Sequence, residues 1–384
     1  VHSPVSGKVV DVQPVCAPGG EITAAVTVEA DGLDERAEPL ARLWDPLRPD
    51  QWPPEELRRF MRMAGVDGTP CLGGGDLYER LARGLAGGVV VINAVGCEPG
   101  LPSDMFEAAA NPEALLIGAV ALSRAGRADR ALVVVQRGSP ADAALTRVFD
   151  QAGGEGQHLA GVSLVRLADV DWMWVPVLLA REAVARFGLG KKGAAGRLHG
   201  MPPLVESAAT AVAVGTALLE GRAVTERLVT VSTRGRMRAV RVPIGTPVSA
   251  LLDGALEAHA EVSSRLLLLA GGPLQGTPLP DLQVPVIKAV SAITAMRQKV
   301  SFRPEAPCIR CGRCAQVCPA GLLPLYIARA ASAAQMDEAR AMGASECVEC
   351  GACAVVCPSY RPLLQWIRLA KYGRARRPAR GGVV

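Results

Sequence analysis

The sequence predicts a multidomain α/β protein with a separate helical module near its C-terminal end. Three observations lead there. At 384 residues the chain is longer than one ordinary domain. Short β-branched runs alternate with helix-period stretches through its first half, the pattern of an open parallel α/β sheet. Further on, a four-cysteine pattern, "CIRCGRCAQVCP" from Cys308, returns as "CVECGACAVVCP" from Cys347.

Apolar residues make up 49% of the chain, enough for buried cores, while aromatics reach only 4%. The net charge is a modest +5, and no basic stripe with interleaved aromatics points to nucleic acid as a partner. No apolar run approaches the roughly 18 residues of a membrane span. The nearest, "AATAVAVGTALL" after Ser207, is rich in small residues and reads as a packed helix. The chain starts at Val1 rather than Met, inside a strand-like pattern. It therefore reads as a piece of a longer chain that could have lost a targeting signal.

Each element follows in order. Residues 1–30 hold two alternating runs, "SPVSGKVVDV" and "EITAAVTVEA", about a Gly/Pro-rich turn, so β structure is expected. The charged, proline-punctuated stretch 31–53 reads as a linker. "PPEELRRFMRMAG" predicts a helix, with Pro54 near its first turn, acids early and Gly65 at its end. "GGVVVINAVGCEP" is a buried strand running into a loop. A helix around Pro112–Arg124, the strand "RALVVVQ", a helix from near Ala141 and the strand "VSLVRLA" follow. Residues 54–222 thus read as a parallel α/β domain, whose ligand would lie at the carboxyl ends of the strands, near Asn93–Glu98. From Leu228, "LVTVSTRGRMRAVRVPIGTPVSALL" alternates as a hairpin and then becomes a short helix. "RLLLLAGGPLQG" adds a strand and a Gly-rich turn, giving a β-grasp-like unit over 223–292. Helical segments such as "AGLLPLYIARAAS" and "PLLQWIRLAK" then flank the repeats within a module over 297–372. A basic tail, 373–384, closes the chain and could touch an acidic partner or anionic lipid.

The cysteines carry the chemistry. Each repeat is C-x2-C-x2-C-x3-C followed by proline, the bacterial ferredoxin run for [4Fe–4S] clusters. Three thiolates two residues apart wrap three corners of a cubane on a tight loop. The fourth points away and completes the other cluster. Cluster one is therefore assigned to Cys308, Cys311, Cys314 and Cys357, and cluster two to Cys347, Cys350, Cys353 and Cys318. Pro319 and Pro358 turn the chain, and Gly312 and Gly351 relieve crowding where N–H groups approach sulfur. Zinc prefers ligands in two pairs, usually with His or longer intervals. Disulfides would give no reason for the same spacing twice. Cys16, Cys71 and Cys97 have no partner at ligand spacing and read as ordinary thiols.

Several stretches together resemble one family. "VHSPVSGKVV", "INAVGCEP", "ERLVTVS…VRVPIGTPVSALL", "AGGPLQG", "VPVIKA", "CIRCGRCAQVCPAGLLP" and "CPSYRPLLQWIRLAK" occur in the order found in the RnfC family, a component of Rnf electron-transport complexes. The resemblance covers nearly the whole chain, without the family's N-terminal part. It implies a barrel-sandwich fragment (1–30), a Rossmann-like flavin/NADH-type domain (54–222), an SLBB domain (223–292) and a two-cluster ferredoxin module (297–372). It implies a peripheral electron-transfer protein on the cytoplasmic face of the cell membrane, bound to other subunits of the complex. Its donor would be NADH through FMN, or a protein such as ferredoxin.

Three places depart from the family pattern. Where the flavin loop resembles GxGGAGFPTxxK, this chain has "AGVDGTPCLGGGDLYERL", which keeps Gly73, Gly74 and Gly75 but not the Phe-Pro-Thr step or the lysine. A lost charged hydrogen bond of that kind is worth about 1.5–3 kcal/mol. In "NAVGCEP", Asn93, Cys97 and Glu98 match N-x-x-E-C-E-P, and Gly96 replaces the first Glu. The loop resembling YPxGxE has become "VDWMWVPVLLARE". FMN and NADH sites, carried by Gly73, Gly74, Gly75, Asn93 and Glu98, are therefore expected to be weak. The alternatives are a flavin-less paralogue that wires electrons from a protein donor, and a scaffold with structural clusters. The histidines His2, His158, His199 and His259 are scattered and suggest no nucleophilic catalysis. Trp172, Trp174, Trp366 and Lys191 read as packing or solvated residues.

Overall fold

A computed structural model of the chain describes residues 2–18, 22–33, 35, 37–40, 44–68, 76–85, 88–96, 98, 100–151, 161–168, 176–186, 203–233, 236–252, 266–274, 276–297 and 304–372. It divides into two units, Val1–Gln298 and Lys299–Val384.

The first unit opens with an antiparallel ribbon of β1 (Gly7–Cys16) and β2 (Ile22–Ala30), whose register shifts between Val9 and Asp11. The alternation does form strands here, but the ribbon stays open to solvent; Val12 is 62% exposed. Among its described residues, the expected linker is irregular apart from a 3-10 turn at Pro49–Gln51. Its end is not peripheral, because Trp52 is buried and its indole N–H donates to Asp45 O at 2.8 Å.

The α/β core comes next. Helix α1 (Pro54–Met63) has proline in its first turn, Glu55 and Glu56 at its N-terminus and Arg62 in its last turn. Its Leu57, Phe60 and Met61 recur at helical spacing and are buried. Helix α2 (Leu77–Arg83) is capped by the Asp76 carboxylate, which accepts the Tyr78 N–H at 2.7 Å. Then follow β3 (Val89–Asn93), α3 (Ser103–Ala110), α4 (Pro112–Ala125), β4 (Arg130–Gln136), α5 (Pro140–Gln151), β5 (Val162–Leu167), α6 (Pro176–Arg186), β6 (Leu204–Ser207) and α7 (Ala208–Glu220). The sheet order is β5-β4-β3-β6, with every pairing parallel.

Strand β3 reads as an unbroken apolar run because both of its faces are covered. Val90 and Ile92 pack with α1, α4 and α7, while Val89 and Val91 pack with α6. Helices α4 and α7 meet backbone to backbone. A Cβ added at Gly118 would lie 1.8 Å from Ala211 O, and one at Gly215 would lie 1.8 Å from Ala114 O. The small residues of "AATAVAVGTALL" serve that contact. Among the described residues no single helix is long and apolar enough to cross a membrane. Only α3 and α4 taken together pass such a test, and they are bent by 103° at their junction.

The remaining strands of this unit are β7 (Glu226–Thr233), β8 (Arg236–Pro243), β9 (Leu266–Ala270), β10 (Thr277–Pro278) and β11 (Ala292–Arg297), with helix α8 (Val248–Leu252). Their order is β10-β9-β11-β7-β8, with β11 parallel to β7 and the other pairs antiparallel. Because β11 is central, this sheet continues past residue 292, where the sequence pattern alone had placed its end.

The second unit is helical: α9 (Arg313–Gln316), α10 (Pro324–Ser332), α11 (Met336–Ala341), α12 (Ala352–Val355) and α13 (Leu363–Tyr372). Its core joins Ile327, Ala331, Leu363, Ile367 and Ala370 with Cys353. The chain is thus mixed α/β with a parallel sheet, followed by the cysteine-bearing helical unit.

Candidate iron–sulfur sites

The two cysteine loops fold alike, residue for residue. Arg310 and Glu349, each two positions after the first cysteine, have φ of 54° and 55°. Gly312 and Gly351 have φ of 77° and 76° and open the short helices α9 and α12. Three positions beyond the fourth cysteine, Gly321 and Tyr360 again share the left-handed region, at 66° and 51°. Successive turns of this kind aim backbone N–H groups inward, making a concavity suited to negative charge. Arg310 N–H donates to Cys308 Sγ at 3.3 Å, and Glu349 N–H to Cys347 Sγ at 3.4 Å. Leu322 N–H donates to Cys318 Sγ at 3.3 Å.

The fourth cysteine of each run reaches the opposite loop. Cys357 lines one cavity with Cys308, Cys311 and Cys314, together with Ile309, Leu325 and Arg361. Cys318 lies within electrostatic reach of both Cys350 and Cys353. Ser359 fastens the first basin. Its hydroxyl donates to Pro307 O at 3.0 Å, and its carbonyl accepts the Ala306 N–H at 3.0 Å.

The basins differ in depth and charge. Cys311 is exposed, whereas its counterpart Cys350 and the following Cys353 are buried. Burial pushes the Cys353 thiol up to about 12, helped by its neighbours Cys347, Cys350 and Cys318. Burial likewise raises Cys347, Cys350 and, in the first basin, Cys314, against backbone N–H groups that favour the thiolate. Beside the second basin, Glu349 accepts from Arg368 Nε and Lys371 Nζ, both at 2.8 Å. Lys371 also donates to Cys347 O at 2.8 Å, so α13 is latched to the loop. These latch residues were not read from the sequence. Aligning the two runs on each other would have shown that Arg310 and Glu349 occupy one position.

The residues meet the demands of a cubane. The first set of cysteines lines a cavity, inward amides can offset negative charge, and Cys318 lies near Cys350 and Cys353 of the opposite loop. Among the described residues, no group of three or more His, Cys, Asp or Glu side chains is already placed to hold a metal ion.

The expected strand-end site is built differently. Asn93 is buried at the end of β3, but its amide closes the loop that follows. Its Oδ1 accepts from Val95 N–H at 2.9 Å and Gly96 N–H at 3.3 Å, and its Nδ2 donates to Gly96 O at 2.9 Å. Glu98 is buried, and its Oε2 accepts the Leu274 N–H at 2.9 Å. It thereby joins this loop to the Gly-rich turn after β9. Opposite Ile92 on β6, the buried Glu206 pairs with Arg80 of α2 at 2.5 Å, a charge pair the sequence pattern did not single out. Gly73, Gly74 and Gly75 lie outside the described residues, as do Cys71, Cys97, His158, His199, His259, Trp172, Trp174, Lys191 and the tail 373–384. Trp366 packs against the core of the second unit.

Residues 299–358 match the family model described as a 4Fe-4S dicluster domain. Over 383 residues the chain is 34% identical to the C component of the ion-translocating oxidoreductase complex of Rhodobacter capsulatus, covering 97% of this chain and 70% of that protein. It is 28% identical to the C component of the proton-translocating ferredoxin:NAD(+) oxidoreductase complex of Clostridium ljungdahlii, covering 84% of this chain and 68% of that one. A chain of an NAD+-reducing [NiFe]-hydrogenase shares 16% identity at a TM-score of 0.47, over 66% of this chain and 49% of its own.

Proposed function

The chain belongs to the RnfC family, the C components of ion-translocating oxidoreductase complexes, and on that premise we propose that it is an electron-transfer subunit of an Rnf-type membrane complex. Electrons pass through two [4Fe–4S] clusters on their way to or from the membrane subunits. One cluster is held by Cys308, Cys311, Cys314 and Cys357, the other by Cys347, Cys350, Cys353 and Cys318. The observation that carries this reading is the gathering of each fourth cysteine with the opposite loop. A bound cluster supplies one-electron chemistry. The chain holds the sulfurs apart at the cavity wall, turns the N–H groups of Arg310, Leu322 and Glu349 onto them, and keeps the second basin from water.

On this reading the ribbon over 1–30 is a barrel-sandwich fragment, 54–222 a Rossmann-like domain, and 223–292 with β11 an SLBB domain. On the same reading the protein sits peripherally at the cytoplasmic face. FMN and NADH fit the described residues poorly. The side chains of Asn93 and Glu98 are committed to the loop and to Leu274. A side chain at Gly96 would meet Leu101 O at 2.8 Å. No step is assigned to either cofactor.

Anaerobically purified protein should contain about eight iron and eight sulfide per chain, the content of two cubanes. About two zinc and no sulfide would overturn the reading. Cys318→Ala should abolish the EPR signal of the cluster held by Cys347, Cys350 and Cys353 before that of its own loop. Stoichiometric FMN, bleached quickly by NADH, would show that the flavin site works after all.

A further inference from the structure

The two basins share a backbone but not a surface, and that difference identifies a docking face. Ile309, Arg310 and Arg313 in the first loop correspond to Val348, Glu349 and Ala352 in the second. Because the φ angles match at both left-handed positions, the fold does not dictate these side chains. In the first loop Cys311 is exposed and Ile309 is 68% exposed. In the second, Cys350 and Ala352 are buried. Charge follows the same division. Glu349 is neutralised by Arg368 and Lys371. Arg361, at the edge of the first cavity, is neutralised by Glu305 at 3.1 Å. Arg310 and Arg313 are exposed and make no ion pair among the described residues.

We propose that the loop Cys308–Arg313 is where this protein meets its electron-transfer partner, and that the partner is a protein with an acidic docking surface. The inference rests on the cluster assignment above and adds the partner's chemistry. Electron exchange falls steeply with distance, so a partner must approach the cluster whose ligand loop is exposed. Free cations around that loop raise the local concentration of an anionic surface and orient it. Ile309 between them offers the small apolar centre of a transient interface. A second copy of this chain would bring the same arginines against themselves. A lipid surface is met through an amphipathic helix or a polybasic run, not through a loop folded around a ligand cysteine. In the encounter one electron leaves one redox centre and enters the other; no cysteine bond changes.

The test uses the full chain loaded with clusters and the double variant Arg310→Glu with Arg313→Ala. It copies residues that the second loop already carries at these positions, Arg310 and Glu349 sharing the same φ, so folding is retained. Iron and sulfide are measured first; their absence would defeat the cluster assignment itself. With clusters present, the dithionite-reduced protein is mixed with two acceptors, native cytochrome c, which is basic, and its lysine-succinylated, acidic form. The wild type should reduce the acidic form rapidly at low salt and more slowly as salt screens the arginines. The variant should reduce it at least tenfold more slowly at low salt, while the rate with the basic form holds or rises. A change in cluster potential would move both acceptors in the same sense. An equal loss with both, no loss with either, or arginine-dependent binding to phosphatidylglycerol vesicles without a rate change would overturn the proposal.

Discussion

Gly96 has φ of 136°, and an added Cβ would lie 2.8 Å from Leu101 O. At the position where the resembling family carries Glu, this backbone has been shaped around a residue without a side chain. Gly96→Glu is therefore expected to cost about 1–3 kcal/mol, the range for a side chain forced into a sparsely populated conformation. Thermal denaturation measures it, and NADH reduction should not improve. Gly96, Asn93 and Glu98 show where sequence reading reached its limit. Asn93 and Glu98 keep the family's residue types, yet their polar atoms serve the loop and Leu274. Type and spacing alone do not reveal what a buried side chain bonds to. The cysteines were legible as a candidate ligand set because cubane geometry constrains their spacing directly.

At the scale of the element, glycine is used where helices touch. Gly118 of α4 faces Ala211 O and Gly215 of α7 faces Ala114 O, a reciprocal contact with no space for a methyl group. Gly118→Ala or Gly215→Ala would raise helix propensity and still destabilise the protein, by about 1–3 kcal/mol or more, because the backbones must separate. Chemical denaturation of the single variants should show the loss, and combining them should give less than the sum, since one contact is spoiled twice. Strands β3, β4 and β5 were legible as apolar runs with turn signals around them. Strand β6 was not, since it is four residues long and half of it, Glu206 and Ser207, is polar. Strand β11 was missed for a different reason. Its pairing to β7 is parallel and distant in sequence, and nothing local announces such a partner.

Across the whole molecule, the two units depend on different forces. The first has extensive apolar clusters around its sheets. The second has a small core, largely of alanine, that includes Cys353 and packs against Cys314, Cys347 and Cys357. A unit with so small an apolar core draws folding free energy from a bound metal centre. Stripping the clusters with acid and chelator, then returning to neutral pH, should leave one cooperative thermal transition from the first unit. The helices of the second unit should lose hydrogen-exchange protection. Survival of both transitions would mean that the helical unit is stable without metal. The sharing of each fourth cysteine between loops also sets an order of biogenesis. When Cys308, Cys311 and Cys314 leave the ribosome, Cys357 has not been made, and at ~5–20 residues per second the wait lasts seconds. A three-thiol loop must stay reduced through that interval, and no truncated chain ending before Cys357 can complete the first basin.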